Sequence, residues 1–444
     1  MPGKRPAPGN PALPAMLETL YRGLTHLAGP AVRRLLDKRA ARGKEDPDRR
    51  GERLGHAGLP RPAGRLAWIH AASVGESLAV LPLVDRLLAR DPDLSVLVTT
   101  GTVTSAGLMA QRLPARAFHQ YVPVDLAPAV DRFLEHWRPD LVLWVESEFW
   151  PNLLAGVRRR RIPAALVNAR LSEKSFHGWR RVPGTARRLL SVFRLALAQT
   201  AAEAQRLKAL GIADTRTVGN LKYSAKPLPC DDAELARLTD DLLGRPRWCL
   251  ASSHAGEEEL ALAAHKALAG EFPGLLTLLA PRHPARGEAV AALLQGGGLT
   301  VARRSLGEAV TGTTDIYLLD TMGEMGLAFR LAPVTVVGGS FVPVGGHNPI
   351  EPALLGSAVL HGPQMFNFAE VAAELAAAGG AVTVADADGL ARELRRLLSD
   401  QGAREGMADS ALAVAEHNRQ AVDRVMEALG PVLDAAGVGQ GGRT

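Results

Sequence analysis

The feature that most constrains the fold is a recurring order of short apolar run, polar loop and amphipathic helix. The runs from Leu66 to His70, Leu94 to Thr100 and Leu141 to Val145 are each followed at once by polar or glycine-rich residues and then by a helical pattern. Further runs follow at Ala164 to Val167 and Leu195 to Ala198. Strands that alternate with helices form parallel sheets, and the loops at their carboxyl ends bind ligands. The sequence therefore predicts an α/β protein with a doubly wound parallel sheet.

The same pattern starts again after a proline-rich, polar stretch from Lys226 to Asp232, which is typical of a linker. Strands are predicted there at Trp248 to Ser252, Leu275 to Leu279, Ile316 to Leu319, Val334 to Val337 and Ala358 to Leu360. A chain of 444 residues exceeds what one core usually holds. We therefore predict two Rossmann-like domains facing across a cleft, at residues 56–225 and 226–444. The C-terminal segments from Leu390 to Ala428 are expected to be helical, the last one crossing back onto the first domain.

Residues 1–55 precede the first predicted strand and are expected to form a disordered tail followed by an amphipathic segment. From Met16 to Lys38, arginines and a histidine interrupt the leucines, so no apolar run approaches the ~20 residues of a spanning helix. No small-residue cleavage site of a signal peptide follows. Arginines beside an apolar stripe can rest on an anionic bilayer. The alternative is a helix packed on the first domain.

Composition narrows the choice of partner. The formal net charge is +6 and the isoelectric point is near 9.6, which suits a phosphorylated substrate or an acidic membrane surface. No aromatic-interleaved basic platform or zinc-finger spacing occurs, so nucleic acid is the least favoured partner. The two cysteines, Cys230 and Cys249, share no metal-ligand spacing. A reducing compartment therefore fits, and neither a disulfide framework nor a zinc site is implied.

The most informative loop follows the run from Val334 to Val337 and contains four glycines. Asn348 is predicted to cap a helix with Pro349 at its first position, where free N–H groups favour a phosphate. Glu351, one turn in, is placed to accept hydrogen bonds from a ribose or a base. An Asn-Pro helix start is also common without a ligand. A second polar strand end, His361-Gly362-Pro363, favours a ligand-binding edge.

Two carboxylates, Glu146 and Glu148, directly follow one strand. Alternating side chains would put both on one side of an extended segment. Close like charges raise one pKa, as in acid/base sites, and carboxylates stabilise oxocarbenium-like transition states. The alternative is that one of them caps the helix at Trp150-Pro151.

Two further strand ends carry polar residues in the second half. Arg282, in Pro-Arg-His-Pro, offers a fixed bidentate cation for a phosphate, the alternative being a solvated surface arginine. Ser252, Ser253 and His254 lie at an equivalent strand end and are candidates to face the cleft. An N-cap of the following helix is the favoured role for these residues.

Nine segments occur in the order and context found in the 3-deoxy-D-manno-octulosonic acid (Kdo) transferases of lipopolysaccharide assembly: WIHAASVGE, TTGTVTSA, ESEFWPN, NARLSEKSF, GNLKY, ASSHAGEEE, APRHPAR, MGEM and GGSFVPVGGHNPIEPA. From Arg65 onward the chain therefore resembles this family. The resemblance implies a GT-B, inverting glycosyltransferase that needs no metal or cofactor. Its implied donor is CMP-Kdo, and its implied acceptor is a lipid A precursor at the cytoplasmic face of the inner membrane. The family usually has a more apolar N-terminal anchor than Met16 to Leu36, so peripheral or weak attachment is expected here.

The resemblance also implies roles for particular residues. Glu76, in Ser-Val-Gly-Glu, is the implied general base, and the helix dipole is expected to keep it ionised. His70 is the competing base, but is expected to orient the loop. The implied catalytic set also contains Glu146, Glu148 and Lys222, the last offsetting negative charge on the phosphate or the donor carboxylate. The implied CMP contacts are Arg282, His283, Met322, Gly323, Glu324, Met325, Asn348, Pro349, Ile350 and Glu351. Further substrate contacts are expected at Ser73, Gly75, Thr102 and Ser253.

Two other classes of protein could use the same scaffold. A nucleotide-sugar epimerase would share the donor half but would have no need of a basic amphipathic N-terminus. A non-catalytic CMP-sugar-binding protein would tolerate the loss of Glu76.

Overall fold

The computed structural model describes residues 12–224 and 227–439. The start of the predicted disordered tail and the first residue of the predicted linker lie outside these ranges. The chain divides into two units. Unit 1 consists of the chain up to Ser224 together with the segment that begins at Gln420, and unit 2 is the part between them, which ends at Arg419. The predicted C-terminal domain therefore stops short of residue 444, because the last helix belongs to unit 1.

Within residues 12–224, unit 1 contains seven strands and eleven α-helices. The strands are β1 (Arg65–His70), β2 (Leu94–Thr100), β3 (Ala117–Tyr121), β4 (Leu141–Val145), β5 (Ala164–Ala169), β6 (Leu195–Ala198) and β7 (Thr215–Thr217). The helices are α1 (Ala12–Leu27), α2 (Gly29–Ala40), α3 (Arg50–Arg53), α4 (Val74–Ala79), α5 (Leu81–Arg90), α6 (Val103–Arg112), α7 (Ala127–Trp137), α8 (Pro151–Arg159), α9 (Glu173–Arg180), α10 (Pro183–Leu190) and α11 (Ala201–Leu210).

The sheet of unit 1 has the order β3-β2-β1-β4-β5-β6-β7, and all its pairs are parallel. Successive residues of β1 alternate between two apolar layers, with Ile69 in one and Trp68 in the other. Both faces are thus buried, as is usual for parallel sheets. Because the strands run the same way, all their carboxyl ends lie at one edge.

Unit 2 is built in the same way. Its strands are β8 (Arg247–Ser253), β9 (Leu276–Pro281), β10 (Val301–Arg303), β11 (Ile316–Leu318), β12 (Val334–Val337), β13 (Ala358–His361) and β14 (Ala381–Thr383), in the parallel order β10-β11-β9-β8-β12-β13-β14. Its helices are α12 (Asp232–Asp241), α13 (Glu257–Ala269), α14 (Gly287–Gly296), α15 (Met325–Leu331), α16 (Ile350–Leu354), α17 (Ala369–Ala377), α18 (Ala387–Ser399) and α19 (Gln401–Arg419). The prediction of two doubly wound parallel sheets is confirmed.

The last helix, α20 (Ala421–Ala435), completes a face of the unit 1 sheet. Its apolar residues Val425, Leu429 and Leu433 share one buried core with Leu83 and Leu87 of α5. Burial of this apolar stripe explains why the helix returns to unit 1.

The amphipathic N-terminal segment forms α1 and α2, and polar side chains attach α1 to unit 1. The Tyr21 hydroxyl donates to Asp125 at 3.1 Å, and Glu18 forms ion pairs with Arg158 and Arg188. The leucines of α1 instead face outward, with Leu24 60% exposed. Within the described ranges, no helix combines the length and apolarity needed to cross a membrane.

Candidate active site

Glu76 lies in the first turn of α4, beyond the carboxyl end of β1, and its side chain is buried. Its carboxylate accepts from the Ser73 hydroxyl at 2.7 Å and from the Ala72 N–H at 2.9 Å. Ser73 is also the N-cap of α4, accepting from the Glu76 N–H. These contacts hold the carboxylate in one orientation.

The pKa of Glu76 moves in the direction opposite to the expected one. Burial raises it, and the negative charges of Glu146 and Glu148 raise it further, against the lowering effect of the Ser73 and Ala72 hydrogen bonds. The expected helix dipole has little to act through, because α4 is only six residues long. A raised pKa makes a carboxylate a stronger base once it is ionised.

Glu146 and Lys222 form an ion pair beside Glu76. Lys222 Nζ lies 2.6 Å from a carboxylate oxygen of Glu146, and both side chains are largely buried. A Cβ built on Gly75 would lie 3.6 Å from Lys222 Cε, so the lysine passes directly over the start of α4. The structure therefore brings together the predicted residues Glu76, Gly75, Glu146 and Lys222.

Three amides that the sequence analysis missed hold the segment carrying Lys222. Asn168 accepts from the Leu221 N–H at 2.9 Å, and Gln199 donates to the Asn168 carbonyl at 3.0 Å. Asn220 in turn donates to Gln199 at 3.1 Å. Asn168 lies in the last two residues of β5 and Gln199 directly follows β6, the neighbouring strand. Both directly follow predicted strands, so polar residues at predicted strand ends were the available signal.

The expected geometry of Glu146 and Glu148 is wrong. Glu146 has a φ of 58°, so the chain turns after β4 and is not extended. Glu148 is exposed, and accepts from the Trp150 indole at 3.3 Å. Neither glutamate caps α8; Asp125 does, accepting from the N–H groups of Asn152 and Leu153.

His70 and Thr102 have structural partners. His70 is fully buried at the end of β1, its Nδ1 is 3.0 Å from the Thr99 hydroxyl, and burial lowers its pKa to about 3. A neutral imidazole with so low a pKa is a poor base at neutral pH. Thr102 is the N-cap of α6 and accepts from the Ser105 N–H at 3.2 Å.

In unit 2, the glycine-rich turn after β12 is held by Glu257, another residue that the sequence analysis missed. One carboxylate oxygen accepts from the N–H groups of Ser340 and Phe341, both at 3.0 Å. The other accepts from Gly339 at 2.7 Å and from His254 at 2.9 Å. Glu257 is fully buried, so this carboxylate fixes the loops after β8 and β12 to each other.

Ser253 does not cap α13, which starts after Gly256 without a side-chain cap. Its hydroxyl donates to Glu258 at 2.7 Å, and the guanidinium of Arg286 binds the same buried carboxylate through two nitrogens. The favoured N-cap interpretation of Ser253 and His254 is therefore wrong. Ser253 is part of a buried polar network that ties the loop after β8 to the loop after β9.

His254 and His347 form a close pair at this edge. Their Nε2 atoms are 2.9 Å apart, and the rings are stacked at 7° with centroids separated by 5.2 Å. His283 lies edge-on to His254 at 6.1 Å. Burial lowers the pKa of His347 to about 4, and the charges of His254, Arg282 and His283 act in the same direction.

Arg282 and Glu351 lie within electrostatic reach of each other. Burial raises the pKa of Glu351, while a hydrogen bond from Asn348 at 3.3 Å and the charge of Arg282 oppose that rise. Arg282 is exposed, and in the described part of the chain no carboxylate lies close enough to form an ion pair with it. The structure thus leaves this guanidinium available to a ligand.

The helices that begin near Asn348 and Gly323, α16 and α15, are both short. Asn348 does accept from the Ile350 N–H at 3.1 Å, but α16 begins at Ile350, one residue later than predicted, and has only five residues. Helix α15 has seven, and its N-cap Glu324 is bound to Arg304 at 2.6 Å. Met322 is 76% exposed and Gly323 has a φ of 86°. Helices this short supply little dipole, so side chains must provide most of the positive charge at this edge.

Comparison with known proteins finds relatives over most of the chain. A family profile described as "3-Deoxy-D-manno-octulosonic-acid transferase (kdotransferase)" covers residues 48–225. A 3-deoxy-D-manno-octulosonic acid transferase of Haemophilus influenzae is 37% identical over 388 residues, covering 86% of this chain and 90% of the relative.

Solved structures share the fold at lower identity. The UDP-GlcNAc 2-epimerase of Neisseria meningitidis bound to UDP-GlcNAc is 15% identical, covers 83% of this chain and all of its own, and has a TM-score of 0.52. MurG of Acinetobacter baumannii is also 15% identical, covering 83% of this chain and 99% of its own with a TM-score of 0.51. At this identity the similarity shows the two-domain GT-B architecture alone.

Proposed function

The chain belongs to the family of 3-deoxy-D-manno-octulosonic acid transferases, and from this premise we propose that it transfers Kdo from CMP-Kdo to a lipid A precursor with inversion at the sugar. The observation that carries the proposal is the buried, oriented carboxylate of Glu76 beside the Glu146–Lys222 ion pair. Mass spectrometry of products from CMP-Kdo and a phosphorylated, acylated glucosamine disaccharide tests it. Acceptor that gains no Kdo mass would refute the proposal.

Glu76 is the proposed general base. In an inverting transfer, a base takes the proton of the attacking hydroxyl on the face opposite the leaving group. Burial and the two neighbouring carboxylates raise the pKa of Glu76, which strengthens its ionised form as a base. Activity should therefore fall as the pH drops through this raised pKa.

Lys222 is the proposed partner of the donor's negative charge. Its ammonium is already held by Glu146, so it needs little rearrangement to meet a carboxylate or phosphate.

Unit 2 is the proposed donor-binding half. Arg282 offers two parallel N–H groups to a phosphate, and the half-buried Glu351 can accept from ribose or base. The segments Met322–Met325 and Asn348–Glu351, with His283, would surround the nucleotide. Glu324 is held by Arg304, so its backbone is better placed than its carboxylate to contact CMP.

The two alternative functions, a nucleotide-sugar epimerase and a CMP-sugar-binding protein, predict different reaction products. An epimerase fold is represented among the structural neighbours, but the family relatives that cover most of the chain are Kdo transferases. An epimerase would change the donor sugar without an acceptor, whereas a binding protein would release no CMP. Analysing both CMP and the donor sugar after incubation with and without the lipid acceptor separates the three.

We expect Arg282→Ala and Glu351→Ala each to weaken CMP binding about 10- to 100-fold, because a charge-assisted hydrogen bond contributes roughly 1.5–3 kcal/mol. Calorimetric titration of CMP measures the effect. Arg392→Ala, which removes an exposed arginine of α18, is the matched control and should bind like the parent. Unchanged affinity in both test variants would mean that the nucleotide binds elsewhere.

The outward face of α1 supports attachment to a lipid surface. Leu20, Leu24 and Leu27 are 56%, 60% and 78% exposed, and Arg33 and Arg34 of α2 are exposed as well. An apolar cavity of about 340 Å³ is lined by Leu20 and Leu24 together with Trp179 and Leu189. Apolar side chains next to arginines suit the surface of an anionic bilayer. We propose peripheral attachment at the cytoplasmic face of the inner membrane.

Substituting Leu20, Leu24 and Leu27 together with glutamine is expected to abolish pelleting with liposomes containing anionic lipid. The parent should pellet at low salt and less at high salt, because salt screens the arginines. Leu243→Gln with Leu306→Gln, at leucines of unit 2 that are 81% and 61% exposed, is the control.

Substitution is preferable to deletion of the N-terminal segment. Arg49 and Glu52 hold β3 through the His119 carbonyl and the Tyr121 N–H, so deletion would also damage the sheet edge. Equal pelleting of the leucine variant and the parent would rule out α1 as the anchor.

A further inference from the structure

The pair formed by His254 and His347 has a restricted protonation chemistry. Two Nε2 atoms 2.9 Å apart must share one proton, so one ring donates to the other. An extra proton can be added at the Nδ1 of the donating ring without breaking this contact. A second one would place two N–H groups against each other. In this geometry the pair therefore exists as neutral or singly positive.

The charged groups around the pair favour the neutral form in the absence of a ligand. Burial lowers the pKa of His254 and that of His347, and the charges of Arg282, His283 and Arg286 oppose protonation. From α13, the negative charges of Glu257 and Glu258 raise the pKa of His254, but burial outweighs them. Both carboxylates are also held by other donors: Glu257 binds four backbone N–H groups, and Glu258 binds Ser253 and Arg286. Across the site, Glu351 is half-buried, and burial raises the pKa of its carboxyl.

An anion placed beside Arg282 would reverse this balance. Both rings are only half-buried, so a ligand can reach them. Negative charge beside the pair offsets Arg282 and His283 and makes the singly positive form the favoured one. The short helices α15 and α16 give little dipole, so a protonated pair would be a major source of positive charge at this edge.

We propose that the His254–His347 pair takes up one proton when a phosphate binds beside Arg282, and holds that proton against the phosphate as the sugar leaves it. This inference rests on the proposed function. During transfer, the bond between the anomeric carbon of Kdo and the phosphate oxygen breaks, and its electron pair stays on that oxygen. The phosphate passes from one negative charge to two, while the acceptor's hydroxyl proton goes to Glu76. The pair's own proton comes from solvent on binding and returns to solvent with the departure of CMP.

Proton uptake is measured by titrating CMP into the full-length protein at pH 7 in two buffers of different ionisation enthalpy. The parent should take up a substantial fraction of a proton per CMP, and its affinity should rise by up to about tenfold for each unit that the pH falls between 8 and 6. Cytidine, which lacks the phosphate, should bind without this uptake. His254→Gln and His347→Gln should lose most of the uptake and of the pH dependence, whereas His177→Gln, at an exposed histidine of α9, should keep both.

The outcomes separate the inference from the proposed function. CMP that fails to bind the parent contradicts the donor site itself. CMP that binds with no proton uptake, or with uptake that survives in both glutamine variants, overturns the histidine pair alone. If thermal melting shows that a variant is not folded, the parent protein alone still tests the inference. A CMP affinity of the parent that does not change with pH would contradict proton uptake.

Discussion

Glu76→Gln is expected to lower the rate of Kdo transfer by about 10²- to 10⁴-fold, the range in which a positioned general base contributes. Glutamine has the same shape and can keep both local contacts. Its carbonyl can accept from the Ala72 N–H, and its amide can donate to the Ser73 hydroxyl. Basicity is then the main property that is lost. Single-turnover transfer and CMP titration, measured on the same preparation, show whether chemistry or binding has changed.

The chain supplies a matched control for this substitution. Glu203 occupies the same position in α11, three residues after the N-cap Thr200, and is buried to a similar degree, 8% exposed against 6% for Glu76. Glu203→Gln should therefore have a comparable structural cost with little effect on transfer. If Glu76→Gln, folded and binding CMP normally, transfers Kdo at a rate close to the parent, then Glu76 is not the base.

The pH dependence gives a second readout. Since burial raises the pKa of Glu76, its ionised fraction, and with it the transfer rate, should begin to fall at a pH above the ordinary range of a glutamate. This fall in rate at acidic pH should be absent from the residual activity of Glu76→Gln. If the variant's rate still falls at the same pH, the titrating group is a residue other than Glu76.

The sequence predicted the central strands of both sheets and missed the edges. The ten predicted strands correspond to β1, β2, β4, β5, β6, β8, β9, β11, β12 and β13. The four that were missed, β3, β7, β10 and β14, are the outermost strands of their sheets. Central strands are buried on both faces and form continuous apolar runs, whereas β7 and β10 are only three residues long and half exposed. Periodicity carries little signal for such short strands.

For the candidate active site as well, one part was predicted from the sequence and another part was missed. Motifs and strand ends were enough to predict Glu76, Glu146 and Lys222, which the structure brings together. They did not predict how those residues are held, because Asn168 and Gln199 lie 54 and 23 residues before Lys222 in the sequence, and only the fold brings the three segments together. The turn at Glu146 was missed for a related reason. A left-handed φ at a glutamate has no sequence signature, since glycine and asparagine are the residues that usually mark it.

The Glu257 carboxylate is expected to contribute strongly to the stability of unit 2. A glutamine there can accept through one oxygen only, so its amide nitrogen would face two buried N–H donors. Each buried donor left without a partner costs about 1–3 kcal/mol, so Glu257→Gln should destabilise unit 2 by roughly 2–6 kcal/mol.

For a unit of this size, that loss corresponds to a fall of about 4–24 °C in the melting temperature of its transition. Differential scanning calorimetry measures it. CMP affinity should fall as well, because the carboxylate fixes the backbone of His254 and of the turn that leads to His347. The control is Glu259→Gln, in the same first turn of α13 but exposed, which should melt and bind like the parent. A Glu257→Gln variant that melts within a degree of the parent would show that the turn after β12 does not depend on this carboxylate. Its contacts with the backbone of Gly339, Ser340 and Phe341 would then contribute little to the stability of unit 2.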